Sequence, residues 1–96
     1  MAAYVIVDVE VHDPEAYRAY QQAVPGTLEQ FQGRFLVRGG AVETLEGSWT
    51  PKRAVVLEFP SGERARAWYH SAEYQAILPI RKQHATTNFL CVVEGV

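Results

Sequence analysis

Residues 3–11 read Ala-Tyr-Val-Ile-Val-Asp-Val-Glu-Val, a run with five β-branched residues and neither glycine nor proline. β-Branched side chains fit the pleated strand, so this stretch predicts a β-strand. Asp13-Pro14 follows, and an aspartate N-cap before a proline at the first helical position predicts the start of a helix. The chain therefore begins with a strand that leads directly into a helix.

The remaining chain predicts an element order that defines a fold class. The first helix is predicted from Pro14 to about Gln32, ended by Gly33, with a kink or break at Pro25-Gly26 because proline removes a hydrogen bond. The next predicted elements are a strand over Arg34–Val42 with a bulge or bend at Gly39-Gly40, a loop or hairpin end over Glu43–Pro51, and a strand over Lys52–Phe59. They are followed by mostly helical residues from Arg64 to His84, with a second cap at Ser71 and a bend at Pro79, and by a strand over Thr86–Glu94. This βαββαβ order is typical of an α+β, ferredoxin-like fold, a four-stranded antiparallel sheet with two helices on one face.

Length, charge and cysteine content restrict the class of protein. The 96 residues predict one domain, 1–96, since a chain of this length has no room for a second core. A formal charge of −2 argues against nucleic-acid binding, which needs a basic surplus. A single cysteine, and the lack of a signal-peptide pattern or a long apolar run, predict a cytoplasmic protein that does not bind a membrane.

Side chains alternate between the two faces of the predicted sheet, and the helices are expected to cover only one of these faces. Val5, Val7 and Val9 share the face that is expected to meet the helices. The opposite face is predicted to carry Tyr4, Ile6, Val56, Leu90 and Val92, beside Glu58 and Glu94. The two glutamates are expected to pair with Arg34, Arg38 or Arg53 or to lie at the rim. Since apolar patches of this size mark interfaces, we predict a homodimer in which two sheets pack face to face.

Aromatic and basic residues are concentrated around the second helical region. Arg81 lies seven residues after Tyr74, and the two share a face where the helix is continuous. A pocket walled by aromatic rings that also bears arginines suits a small planar or carboxylated ligand. The predicted ligand-binding residues are Arg38, Trp68, Tyr69, Tyr74 and Arg81. The alternative is that the aromatic side chains form the core and the arginines pair with glutamates.

No catalytic or metal-binding motif is present. The sequence lacks a Walker loop, a nucleophile elbow, a dinucleotide glycine pattern and a CxxC pair. His12, His70 and His84 are not spaced as metal ligands, and Glu73 three residues after His70 makes only a weak site. Neither metal nor cofactor is therefore expected. The acid–base candidates are Tyr69, Tyr74, His70, Asp8 and Glu46, and the pattern assigns no catalytic role to any of them.

Several segments, in their order along the chain, resemble a known family. They are Phe35–Gly40, Leu45–Arg53, Val55–Ser61 and Ala67–Tyr74, followed by Arg81. Together they are similar to the family catalogued as domain of unknown function 1330, over nearly the whole chain. Where that family has Gly-Gly before its second strand, this chain has Gln32-Gly33.

The resemblance implies a dimeric α/β barrel, in which two ferredoxin-like sheets pack face to face. The family has no assigned activity. Its superfamily includes cofactor-free monooxygenases, lactone isomerases, stress-responsive proteins and haem enzymes, and the haem enzymes need a proximal histidine that this sequence does not identify. The fold implied by the resemblance therefore leaves the activity open.

Sequence and resemblance together favour a dimeric protein that binds a small aromatic or carboxylated metabolite. Whether it is an enzyme is left open by the pattern. For an enzyme, the favoured class is cofactor-independent oxygenation or isomerisation, in which the protein positions and desolvates a reactive substrate. The alternative is a non-catalytic dimerisation or interaction module with a closed aromatic core.

Overall fold

The computed structural model describes residues 1–96 and contains one antiparallel sheet with three helices. The strands are β1 (Ala3–Val11), β2 (Arg34–Arg38), β3 (Ala54–Phe59) and β4 (Ala85–Glu94), and the helices are α1 (Pro14–Glu29), α2 (Gly62–His70) and α3 (Ala72–His84). The strand order is β2-β3-β1-β4, so β1 pairs with both β3 and β4. The predicted α+β class and the four-stranded antiparallel sheet are confirmed.

The second helical region is divided at Ser71, so the prediction of two helices was wrong in number. Ser71 has an extended backbone, and its hydroxyl donates to the Trp68 carbonyl at the end of α2 at 2.7 Å. The same oxygen accepts the backbone N–H of Tyr74 at 3.2 Å and caps α3. The predicted second cap at Ser71 is therefore confirmed.

Helix α1 runs through Pro25 without the predicted break and ends at Glu29, three residues before the predicted end. The Gly33 N–H bonds to the Leu28 carbonyl at 3.0 Å, and the Gln32 N–H bonds to the Glu29 carbonyl at 3.1 Å. These two bonds form a Schellman ending, whose left-handed residue is usually glycine. Here Gln32 occupies that position with φ 59°, and the left-handed conformation strains a residue that carries a Cβ.

All three helices cover the same face of the sheet. Val5 pairs with Val92, and Val7 pairs with Leu90, so these four side chains lie together on the helix-covered face. The prediction that Leu90 and Val92 belong to the open face was wrong. The open face instead carries Tyr4, Ile6, Val37, Val56, Phe89, Cys91 and Val93. The molecule measures 34 × 33 × 17 Å, the thickness of a single two-layer sandwich.

The two glutamates that were predicted on the open face lie on opposite faces of the sheet. Glu58 stays there and bonds to Arg34, one of its predicted partners, with the Nε of Arg34 2.6 Å from the carboxylate. Glu94 pairs with Ala3, whose side chain is buried, and therefore lies on the helix-covered side at the rim. Arg34 and Glu58 thus form a neutral pair on the open face.

Strands β2 and β3 are shorter than predicted. Strand β2 ends at Arg38, so Gly39-Gly40 follows the strand and forms no bulge inside it. The register shifts lie elsewhere, between Phe35 and Val37 and opposite the Asp8–Val9 step. A long connection over residues 39–53 then joins β2 to β3.

Asp8 anchors the end of this long connection to the sheet. Its side chain is 1% exposed, and Oδ1 accepts the backbone N–H groups of Lys52 and Arg53 at 3.0 and 3.2 Å. Its Oδ2 accepts the side-chain amide of Asn88 at 3.0 Å, the extra residue of the β4 bulge. Burial opposes ionisation, but the donors outweigh it and hold the pKa of the Asp8 carboxyl below its usual range.

No helix of the structure has both the length and the apolar character that a membrane crossing requires.

Replacing Gly33 by alanine is expected to destabilise the fold. A Cβ at Gly33 would lie 2.6 Å from Cε1 of Phe59, a fully buried ring that cannot move without disturbing the core. Overpacking of this kind costs about 1–3 kcal/mol. The matched control is Gly26→Ala in α1, where nothing lies within 4 Å and alanine favours the helix by roughly 0.5–1 kcal/mol. Urea unfolding should therefore move the two midpoints in opposite directions, and equal shifts would contradict the Gly33 packing.

Asp8→Asn is expected to lower the free energy of unfolding at neutral pH. It is also expected to make that free energy depend less on pH under acidic conditions. The pKa of Asp8 is lowered in the folded state, so its contribution is complete above its usual value of 3.8 and is lost as the pH falls through the lower native value. Unfolding measured from pH about 7 to 2 should show a smaller acid dependence in the variant. Asp13→Asn, which keeps an N-cap at an exposed site, is the control. A variant as acid-sensitive as the parent would exclude this role.

Candidate functional site

A cavity lies between the sheet and the helices, and we call it the aromatic cavity. Its wall is mostly apolar and is formed by residues of all four strands and all three helices, together with Arg53 just before β3. Four of the five predicted ligand-binding residues line it: Arg38, Trp68, Tyr74 and Arg81. The structure also adds Tyr17, Tyr20 and Arg53 to the lining.

The aromatic cavity is narrow inside and open at one side. The volume available inside is about 40 Å³, whereas the empty space that includes the open mouth is about 490 Å³. A cavity on the order of 150 Å³ holds one benzene ring, so the inner space as it stands takes waters rather than a planar ligand. A ligand therefore has to occupy the mouth or displace side chains there.

Arg81 is the unusual side chain of this cavity. It is only 3% exposed, and its Nη1 donates to the Thr87 hydroxyl at 3.0 Å. Its Nε has no hydrogen-bond partner, and no carboxylate pairs with it, since the one ion pair of the structure joins Arg34 to Glu58. A buried guanidinium without a counter-ion has lost its hydration, and its few protein hydrogen bonds do not compensate for that loss. The site is therefore electrostatically suited to an anion.

Two buried tyrosines place hydroxyl groups in the same cavity. The hydroxyl oxygens of Tyr20 and Tyr74 are 2.6 Å apart, so one donates to the other and the acceptor keeps a proton to donate elsewhere. Burial raises the pKa of both phenols, and it also raises the pKa of Tyr17, although the nearby Arg53 and Arg81 charges partly oppose the rise at Tyr17. All three tyrosines are therefore neutral at physiological pH, and they act as hydrogen-bond donors rather than as bases.

Trp68 forms both core and cavity wall. Its indole N–H donates to the Thr27 hydroxyl at 3.0 Å, and that hydroxyl donates to the Val24 carbonyl at 2.7 Å. Its ring centre lies 4.1 Å from that of Tyr74. The buried polar side-chain groups of Trp68 and Thr27 therefore both have partners, and these bonds hold the indole against α1.

Arg38 is held at the mouth of the cavity by helix α1. Its Nη2 donates to the Gln21 carbonyl at 2.6 Å, and its guanidinium lies 4.3 Å from the centre of the Phe35 ring. The Gln21 carbonyl is available because the residue four positions later is Pro25, which has no N–H. The proline therefore creates the acceptor that fixes the arginine.

Tyr69 lies outside the aromatic cavity. It lines a separate shallow groove with Arg66, His70 and Val92, on the other side of Trp68. Among the acid–base candidates, only Tyr74 reaches the cavity. Asp8 is sealed within its hydrogen bonds, whereas His70 and Glu46 are exposed.

Sequence reasoning did not include Tyr17, Tyr20 and Arg53 among the ligand-binding residues. The two tyrosines lie three residues apart in α1, and this spacing places both on the buried side of the helix. Two phenol groups on one buried helix face are a usable signal, because each hydroxyl needs a partner. Arg53 carries no such signal, because its place depends on the long connection before β3.

The comparisons with solved structures place this fold beside several proteins. A protein of unknown function from Rhodopseudomonas palustris is 18% identical, with a TM-score of 0.76, and the match covers 99% of this chain and 82% of that one. SnoaB, a cofactor-independent oxygenase from Streptomyces nogalater, is 9% identical with a TM-score of 0.68, over 99% and 93% of the two chains. A dimeric protein of unknown function and ferredoxin-like fold from Bacteroides fragilis NCTC 9343 is 11% identical with a TM-score of 0.60, over 98% and 95%. At these identities the likeness shows the ferredoxin-like fold alone.

Curated protein sequences gave no match. A family model, in contrast, matches residues 2–96, which is nearly the whole chain and includes every residue of the aromatic cavity. The resemblance noted from the sequence motifs is therefore confirmed: the chain belongs to the family described as domain of unknown function DUF1330.

Proposed function

We propose that the protein binds a small aromatic or carboxylated metabolite in the aromatic cavity, with Arg81 holding its anionic group. One observation carries this proposal: Arg81 is buried without a carboxylate partner, and its Nε is unpaired. An anion placed against that guanidinium would gain charge-assisted hydrogen bonds and remove the cost of an isolated buried charge.

The rest of the cavity supports an aromatic ligand body. Trp68 and Tyr74 offer rigid ring surfaces, and the Tyr20–Tyr74 pair has one hydroxyl proton left to donate to a ligand oxygen. The small inner volume places most of the ligand in the mouth, beside Arg38 and Gln21 at the exposed side. Ligand recognition by this cavity thus combines one buried charge, ring contacts and one phenol donor.

For catalysis, the cavity supports cofactor-independent oxygenation or isomerisation of a substrate that forms an enolate or a phenolate. The Arg81 charge and the phenol donors would stabilise negative charge that develops on a substrate oxygen. SnoaB, a cofactor-independent oxygenase, has the same fold, which adds support at the level of fold only.

The small inner volume favours a second candidate, a non-catalytic interaction module. Trp68 and Tyr74 are almost completely buried, as a closed aromatic core requires. That interpretation also expects arginines paired with glutamates, yet neither Arg38 nor Arg81 has a carboxylate partner. The ligand-binding proposal accounts for both arginines and is preferred.

The open face of the sheet supports a homodimer through sheet-on-sheet packing, closed as a dimeric α/β barrel. Ile6 and Val56 are direct neighbours at its centre, and its flanking Val37 and Val93 are 39% and 45% exposed. The Arg34–Glu58 pair adds no net charge. A dimeric neighbour with a ferredoxin-like fold supports the same assembly. A second copy would supply the burial that a single helical layer leaves missing.

Arg81→Met is expected to abolish ligand binding without lowering the melting temperature of the free protein. Methionine removes an unpaired buried charge and keeps most of the side-chain volume, so the free protein should be as stable as the parent or more stable. The measurement is a thermal-shift screen with aromatic and keto carboxylic acids, each tested beside its neutral amide. Acids alone should raise the melting temperature of the parent.

Arg34→Met is the matched control, since it removes an arginine from the opposite face of the sheet. It should keep the response to the acids. A rise that persists in Arg81→Met, or no rise with any acid, would contradict the proposed function.

The dimer is expected to give a light-scattering mass of twice the 10.8 kDa of one chain. Ile6→Glu places a charge at the centre of the open face, and it should reduce the mass to that of one chain because burying an unpaired carboxylate opposes association. Ala67→Glu puts the same charge on the exposed surface of α2 and should leave the dimer intact. A single-chain mass for the parent would exclude the dimer.

A further inference from the structure

The mouth of the aromatic cavity carries a cluster of positive charge. Arg18, Arg38 and Arg53 line one shallow depression at this side, together with Gln21, Gln22 and Pro25. No acidic side chain lines that depression. The whole chain has a net charge of −2, so this clustering does not follow from composition.

Two of these arginines are positioned by backbone features rather than by acidic partners. The carbonyl that Pro25 leaves free in α1 holds Arg38, as described above. Gly39 makes room for Arg53, because a Cβ at Gly39 would overlap the Arg53 guanidinium. Gly39 also has φ +72°, a conformation that glycine adopts without strain. The Arg38 guanidinium is thus held by a carbonyl, the Arg53 guanidinium lies against Gly39, and neither has an ion-pair partner.

We propose that Arg38 and Arg53 form a second anion subsite at the mouth, so that the ligand carries two anionic groups, one at Arg81 and one at the mouth. This inference rests on the proposed function, because it takes Arg81 as the first anion site. Both arginines line the aromatic cavity and the outer depression, so they lie where the two spaces join. An anion between them relieves their mutual repulsion and accepts hydrogen bonds from both guanidinium groups.

The ligand class that follows is an aromatic or planar acid with a second carboxylate or a phosphate at its far end. A neutral far end would leave the two arginines with nothing to neutralise them. Pro25 and Gly39 then act as positioning residues, since each affects where an arginine lies.

Isothermal titration with a series of probes tests this inference. The probes are terephthalate, homoterephthalate and para-phenylenediacetate, each compared with its own monomethyl ester, and para-phosphonobenzoate as the phosphate-like arm. The parent should bind at least one dianion about tenfold more tightly than the corresponding monoanion, as a second charge-assisted contact predicts. Tighter binding of a dicarboxylate identifies the second anionic group as a carboxylate, and tighter binding of para-phosphonobenzoate identifies it as a phosphate.

Two variants that keep both arginines test whether the positions of Arg38 and Arg53 cause the preference for the dianion. Pro25→Ala restores an N–H that competes for the Gln21 carbonyl, and Gly39→Ala displaces the Arg53 side chain. Both should reduce the preference for the dianion to about threefold or less while leaving monoanion affinity unchanged. Gly47→Ala is the matched control, because Gly47 also has a positive φ, +88°, but has nothing within 4 Å. It should keep the full preference.

The outcomes separate the two proposals. If monoanions bind through Arg81 and the second charge adds nothing, the mouth subsite is excluded and the proposed function stands. If no carboxylic acid binds the parent protein, both proposals are overturned. A dianion preference that survives in Pro25→Ala and Gly39→Ala would also exclude Arg38 and Arg53 as its source.

Discussion

The buried indole of Trp68 is the point at which the sheet and all three helices meet. Its N–H reaches Thr27 of α1, its ring contacts Phe59 of β3 and Tyr74 of α3, and its backbone belongs to α2. A buried indole N–H must find an acceptor, and the Thr27 hydroxyl is available only while α1 lies in this position. The cavity wall and the placement of α1 against α2 both depend on this packing.

Much of the fold could be predicted from local sequence. The β-branched run of β1, the Asp13-Pro14 start of α1 and the cap at Ser71 each reflect a short-range preference that the folded chain satisfies. The face assignment of β4 could not be predicted, because Phe89, Cys91 and Val93 are as apolar as Leu90 and Val92. Only the pairing of β4 with β1 decides which set meets the helices, and that register is a long-range property.

The candidate site was predictable in part for a similar reason. Arg81 and Tyr74 lie on one helix, so their shared face follows from helical spacing. The contact between Arg38 and the Gln21 carbonyl spans 17 residues. The sequence shows that Pro25 leaves a carbonyl unused, but it does not show which donor takes it. Arg53 reaches the mouth only because Asp8 fixes the end of the long connection, and this contact spans 45 residues.

The central position of β1 has a consequence for synthesis on the ribosome. The first strand to emerge is also the one that needs two neighbours, yet β3 begins at residue 54 and β4 at residue 85. Its backbone N–H and C=O groups lack strand partners until β3 and then β4 have been made, and closing such distant pairs is slow. During that interval the unpaired edges of β1 favour association with other chains. Asp8 and Glu10 are the two charged residues of β1, and their charges oppose this association.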